Sequence, residues 1–440
     1  MDAGTSATET ADFDDAEQSP VVAPSKPRLW SILGPGLITG ASDDDPSGIA
    51  TYMQTGAAFG YGLAWTLLFS YPLMVAIQIV SARIGRTTGA GIAGNLKKFC
   101  PTWLVYTSIV LLLVANVINI GADIGAMGAS LQLLVGGPEI FYVVIFGAVC
   151  AIAQIFLAYK RYVAVLKWLS IALFAYVATL FFVKIDLAAL IHGLVLPRVS
   201  LDSRALTSVV AILGTTISPY LFFWQSSQEV EDTKAAPKRE PLKRAPDQAL
   251  AANARISSDT LIGMGFSNVI ALAIMVTAAA TLNKAGVTNV NSAADAAKAL
   301  EPLAGPLAEA IFALGIIGTG LLAVPVLAGS AAYAIGEALR WPTGLDRAPR
   351  EAKAFYGVIA AATAGGVLLN FSPIDPIKAL FWSAVVNGVV AVPIMIVTML
   401  MAANPRIMGQ HTIGPILKAL GWLSTLAMAL AAAGMIALNI

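Results

Sequence analysis

Long apolar stretches constrain this chain more than any other feature. Residues 259–281 and 307–337 carry few or no charges, and a bilayer core needs about 20 such residues per crossing helix. Composition agrees: AVILMFWYC make up 57% of the 440 residues and DEKR only 12%, about half the charge of an average soluble domain. A string of soluble domains would need far more polar surface. The chain is an all-α polytopic membrane protein. Apolar windows fall at 31–58, 63–82, 103–127, 139–159, 163–183, 207–226, 258–281, 305–337, 354–370, 378–402 and 414–438, which predicts eleven transmembrane helices. They are rich in Gly and Ala, which lets membrane helices approach closely.

The polar remainder sets orientation. With the N-terminus inside, only Lys184, Arg198, Arg204, Lys284, Lys298 and Lys378 of the 27 basic residues fall outside. Positive charge accumulates on cytoplasmic loops, so the N-terminus is predicted cytoplasmic and the C-terminus extracytoplasmic, in a cell membrane. The basic segment 234–255 reads as a solvated inside loop, with a site for anionic lipid headgroups as the alternative. The loops 185–206 and 282–302 have room for short surface helices. Residues 1–28 read as a disordered cytoplasmic tail. A net charge of +1 favours no nucleic acid. Two cysteines, Cys100 and Cys150, make no disulfide framework, and two histidines, His192 and His411, no His-rich metal cluster.

Two spans are interrupted. The first carries Asp43-Asp44-Asp45-Pro46-Ser47-Gly48 inside an apolar segment. A carboxylate at mid-bilayer costs roughly 2.5–3.5 kcal/mol. Pro46 lacks an N–H, so the helix is predicted to break there, with freed carbonyls facing a cavity rather than lipid. A short interfacial loop is the alternative. The sixth span carries Gly214-Thr215-Thr216-Ile217-Ser218-Pro219-Tyr220, which taken alone is also an ordinary proline kink. Paired interruptions at Pro46 and Pro219, in matching places of two five-span halves, point to a transporter site at a repeat interface.

The stretch from Gly34 through Gly94, containing GPGLITGASDDDPSG and ARIGRTTGAGIAG, resembles the Nramp family of divalent metal transporters. That family has Asp-Pro-Gly-Asn in its first span, where this chain has Asp45-Pro46-Ser47-Gly48. Its sixth span has Ala-x-x-Met-Pro-His, where this chain has Thr215 to Tyr220. The stretch Ala122–Gly136 is similar to the family's third span, with Asp123 at the position of a buried Glu. The resemblance implies a LeuT-type fold of two inverted five-helix repeats, about 29–184 and 205–402, plus an extra helix at about 414–438. It also implies a metal site between the broken first and sixth helices. The departures are specific. Only Asp45 remains of the manganese and iron ligand set. Gly48 stands for Asn, Ser218 for Met, Thr215 for Ala, and Tyr220 for the His associated with proton movement. The pattern looks more like the divergent Nramp-related magnesium transporters.

Chemistry points the same way. With no thioether at the aligned position, the candidate ligands are oxygens: Asp45, Asp44, the hydroxyls of Thr215, Thr216 and Ser218, and freed carbonyls. Such sites suit Mg²⁺, Ca²⁺ and Mn²⁺. Gly48 is expected to widen the site for a hydrated ion, since Mg²⁺ dehydrates reluctantly. Asp123 is a candidate secondary cation or proton site, or an aspartate bonded within a packing seam. Asn119, four residues earlier, is its predicted partner. Ser383 and Asn387 in the tenth span are placed to reach the site or to bond between helices. Glu229, Glu231 and Asp232 read as a solvated helix end, with a cation-attracting vestibule as the alternative. The chain is predicted to be a monomeric transporter of Mg²⁺ and/or Mn²⁺, weakly coupled or uncoupled to protons. It is expected to need no cofactor, the metal being cargo. Alternatives are a proton-coupled Mn²⁺/Fe²⁺ Nramp transporter and a sodium-coupled amino-acid carrier of the same fold, which three clustered aspartates disfavour. An intramembrane aspartyl protease using Asp45 and Asp123 has no GxGD motif to support it.

Overall fold

Backbone N–H and C=O groups find no partners in hydrocarbon, so an apolar chain of this kind must satisfy them within helices. A computed structural model describes residues 39–40, 42–156, 173–197, 202–236 and 238–439, and within these every regular element is a helix. The main ones are α1 (Pro46–Phe59), α2 (Trp65–Thr88), α3 (Ile92–Phe99), α4 (Thr102–Val135), α5 (Glu139–Phe156), α6 (Phe174–Thr179) and α7 (Leu187–Val195). They continue with α8 (Ser203–Thr216), α9 (Pro219–Ala235), α10 (Ala249–Ala278), α11 (Ala308–Leu339), α12 (Lys353–Leu369), α13 (Pro376–Ala402) and α14 (Pro415–Asn439). Eight helical stretches among the described residues are long and apolar enough to cross a bilayer, and α12 is shorter. The predicted tail and the first half of the predicted fifth span, 163–172, lie outside the described residues.

Several boundaries shift. The third crossing continues to Val135, where Gly136 (φ 71°) and Gly137 (φ 89°) supply the left-handed backbone that ends it. The segment 234–255 is largely exposed, as expected of an inside loop, but it is not wholly irregular. Its last third is already helix α10, and Leu242 is fully buried. The N–H groups of Leu242 and Lys243 donate to the carbonyls of Arg86 and Thr87, while the Lys243 ammonium reaches the carbonyl of Ile407. This strap joins the ends of α2 and α13. The loop 185–206 holds a short helix, α7, as expected, and this helix carries His192. Short helical turns fill 293–307.

The core is built on close helix crossings. α4 lies along α11, α8 against α13, and α9 against α2. A Cβ on Gly214 of α8 would stand 2.1 Å from the Ala384 carbonyl oxygen and 2.5 Å from the Gly388 nitrogen of α13. Only glycine permits that approach, and it brings the end of α8 against α13. α1 packs on α10, α13, α8 and α4, which places its first turn at the centre of the bundle.

Candidate functional site

Both predicted breaks occur. Residues 42–43 are helical, Asp44 and Asp45 are not, and Pro46 is the first residue of α1. Proline suits that position, because the first N–H of a helix has no intrahelical partner. Asp45 is extended (φ −69°, ψ 168°) and caps α1. Its Oδ1 accepts from the Gly48 N–H and the Ser47 hydroxyl, both at 2.7 Å, and its Oδ2 accepts from Asn119 Nδ2 at 2.9 Å. The second break falls at Ile217 (φ −124°, ψ 56°) and Ser218, with Pro219 opening α9. The Ser218 hydroxyl donates to the carbonyls of Gly214 (2.8 Å) and Thr215 (2.9 Å).

The two breaks meet. Gly48 faces Thr215: a Cβ at position 48 would lie 2.9 Å from Thr215 Oγ1 and 3.4 Å from a Tyr52 ring carbon. The room expected from glycine is therefore taken by Thr215 and Tyr52, which corrects the widened site predicted from sequence. Tyr220, at the start of α9, donates its hydroxyl to the Ser42 carbonyl at 3.1 Å, so one break binds the other. Above it, the hydroxyl of Thr39 bonds Gln225 of α9.

The three aspartates are buried but point to different neighbours. Ser267 of α10 donates to Asp43 Oδ2 (2.6 Å) and lies 3.1 Å from Asp44 Oδ1. Asp45 turns instead towards α4. Asp44 is thus brought beside Asp43 rather than beside Asp45. Among the described residues no three His, Cys, Asp or Glu side chains converge as a ready metal cage. Among the described residues, neither Lys nor Arg forms an ion pair with any of the three. Asp43 Oδ1 and Asp44 Oδ2 have no hydrogen-bond partner among the described residues. Carboxylates buried without a counter-charge are costly, so this pocket calls for a cation or for protons.

α4 supplies the remaining polar groups. Asn119 serves Asp45, not Asp123, correcting the predicted pair. Asp123 is fully buried, and neither carboxylate oxygen has a partner among the described residues. It lies near the Ser47 backbone N–H and within electrostatic reach of Asp45. Asn387 of α13 is also fully buried, with both amide atoms unpartnered among the described residues. Ser383 bonds its own helix, at the Leu380 carbonyl. A thioether does approach: Met127 of α4 packs on Gly320 of α11 next to Pro46. Ser267 and Gln225 were invisible to sequence reasoning, because a lone polar residue in an apolar helix carries no signal of what it faces.

The predicted acidic vestibule residues have structural partners. Glu229 is fully buried and ion-paired with Arg255 of α10, not solvated. Glu231 accepts from the Tyr333 hydroxyl and from the Leu345 N–H (3.0 Å). Glu337 of α11 accepts from Ser227 of α9 (3.0 Å) and from the Gly94 N–H of α3 (2.9 Å). These carboxylates hold α9, α10, α11 and α3 together.

Comparison with known proteins now bears on this geometry. Residues 36–438 match the family described as natural resistance-associated macrophage protein-like, Nramp. The chain is 29% identical over 299 residues to the divalent metal cation transporter MntH of Yersinia pestis (strain Pestoides F), covering 66% of this chain and 69% of that one. It is 26% identical over 412 residues to the MntH of Aeromonas hydrophila, covering 90% and 93%. Among solved structures, the Eremococcus coleocola manganese transporter, in complex with an aromatic bis-isothiourea substituted compound, superposes with a TM-score of 0.71 at 16% identity. The match covers 94% of this chain and 88% of that one. MhsT in complex with L-phenylalanine superposes with a TM-score of 0.62 at 13% identity, covering 93% and 99%. These two likenesses speak to the fold, which is of the LeuT type.

Proposed function

Because the chain belongs to the Nramp family of divalent metal transporters, we propose that it carries Mg²⁺ or Mn²⁺ across the membrane by alternating access, with the ion held between the two helix breaks. It is a membrane transporter rather than an enzyme. The observation that supports this site is a set of buried aspartates without counter-charge among the described residues, placed where α1 meets the second break. Asp45 uses three of its acceptor positions within the protein, and a carboxylate offers about four. One lone pair on Oδ2 therefore remains for an ion. The Thr215 hydroxyl, which faces Gly48, is a neutral oxygen beside the first break. One carboxylate with neutral oxygens suits an ion that keeps several waters, as Mg²⁺ does. Mn²⁺ accepts similar ligands.

The packing of Gly48 on Thr215 leads to a prediction about selectivity. Gly48→Asn alone is expected to lose transport, because its Cβ would collide with a β-branched side chain that has little freedom in a helix. Gly48→Asn with Thr215→Ala relieves the collision. Adding Ser218→Met supplies a sulfur, and the triple variant is expected to favour Mn²⁺ over Mg²⁺ by about tenfold, roughly 1.4 kcal/mol. Competition uptake measures this ratio. An unchanged ratio in a well-folded triple variant would place these positions outside the metal's shell.

Proton coupling is weak or absent in this reading. Tyr220 stands where proton-coupled relatives have histidine, its hydroxyl is committed to Ser42, and a phenol exchanges protons far above neutral pH. A divalent ion moving down 100 mV gains about 4.6 kcal/mol, at roughly 2.3 per charge. The test is metal uptake into proteoliposomes holding a pH dye. Saturable uptake without matching acidification is expected. Acidification in proportion to metal, lost in Asp123→Asn, would show proton coupling through Asp123. No saturable uptake of either ion would refute the function.

A further inference from the structure

A vestibule of about 350 Å³ opens at the end of the bundle that the charge bias places outside. Ala50 and Gln54 of α1 form one wall, one and two turns beyond Asp45. A small apolar cavity of about 10 Å³, lined by Ile49, Met53 and Phe312 among others, adjoins the vestibule through Ala50, Val290 and Ile377. Among the described residues the vestibule lining holds no carboxylate and two cations, Arg204 of α8 and Lys378 of α13. Lys378 is exposed and its ammonium has no acidic partner among the described residues. Arg204 donates to the Thr288 carbonyl (2.9 Å) and the Asn289 side-chain oxygen (2.6 Å), both neutral, so its charge is not cancelled there.

The surroundings do not reverse the sign. Asp202 and Asp375 stand at the rim, but each is tied to backbone N–H groups as a cap of α8 or α13. Their charge is set against the positive ends of those two helices. The neighbouring cavity at the same end carries Lys184, Lys284 and Lys298 with Glu301. Asp295 neutralises Lys298.

We propose that Arg204 and Lys378 form a valence filter: a positive vestibule that thins out divalent cations and thins out trivalent cations more, ahead of recognition at Asp45. This rests on the divalent-transport reading above. The energy of an ion in a given potential scales with its valence. Depletion of a trivalent ion is therefore the depletion of a divalent ion raised to the power of about three halves. The filter costs uptake rate at low metal and gives in return a bias against highly charged competitors. It is screened by salt, because the Debye length falls from about 30 Å at 0.01 M to about 8 Å at 0.15 M.

Two measurements test it. In proteoliposomes of uncharged lipid, Mn²⁺ uptake below saturation is expected to rise about threefold as choline chloride goes from 0.01 to 0.2 M. Lys378→Gln and Lys378→Glu are expected to lower KM stepwise, with kcat unchanged, and to strengthen inhibition by Gd³⁺ more than they lower the KM for Mn²⁺. The second measurement needs no transport. The fluorescence of the exposed Trp382 in the vestibule lining, taken as the difference from Trp382→Phe, should show a ratio of iodide to caesium quenching above that of free N-acetyltryptophanamide. Lys378→Glu should reduce or reverse that preference. A ratio no higher than that of the free indole, or variants that change kcat and leave KM alone, would overturn the filter. Iodide-selective quenching in a protein that moves no divalent ion would leave the filter standing and refute the transport reading.

Discussion

Asp45→Asn is expected to cut metal uptake by about a hundredfold, while the protein still inserts and folds. Asn is the informative substitution because Asp45 has two roles. It caps α1 through Gly48 N–H and Ser47, and it holds Asn119 of α4. Asparagine caps helices about as well as aspartate, whereas alanine loses roughly 1 kcal/mol. Asp45→Asn therefore preserves the local structure and removes the charge. An interaction with a charged ligand contributes up to about 3 kcal/mol, which is about a hundredfold in rate or affinity. Asp45→Ala should abolish uptake and lower thermal stability as well. Wild-type uptake in Asp45→Asn would show that the residue is a cap only.

The largest stability effect is expected away from the metal, at Arg255→Ala. Glu229 is fully buried and paired with Arg255, whose side chain is 30% exposed. Removing the arginine leaves a buried carboxylate without its partner, which costs roughly 3 kcal/mol. The double variant Arg255→Met with Glu229→Gln should recover most of that loss, because replacing both members of a buried pair is often nearly neutral. Thermal unfolding in detergent measures both. Equal melting temperatures for wild type and Arg255→Ala would mean that water reaches Glu229 and screens it.

These two sites mark how far the sequence was legible. Asp45, Pro46 and Pro219 announced themselves locally: a carboxylate in an apolar run is costly, and a proline lacks the N–H a helix needs. The breaks were therefore predicted where they occur. What each broken end would face was not legible. Asn119 lies four residues before Asp123, which suggested an i, i+4 pair, but the fold offered it the stronger acceptor Asp45. Glu229 and Arg255 are 26 residues apart, so a basic linker after an acidic helix end read as two solvated segments. Their pairing depends on how α9 packs against α10. Gly48 read as empty space because its neighbour Thr215 is contributed by another helix. Residues whose meaning is set by backbone chemistry were readable, and those whose meaning is set by a distant partner were not.

The most direct test of the central claim is the position of the ion itself. Crystals of the protein soaked in Mn²⁺, measured at the manganese absorption edge, should show an anomalous peak between Asp45 Oδ2 and Thr215, with oxygen neighbours and no sulfur. A peak at the Met127 sulfur, or at Asp43 and Asp44 beside Ser267 with none at Asp45, would contradict it.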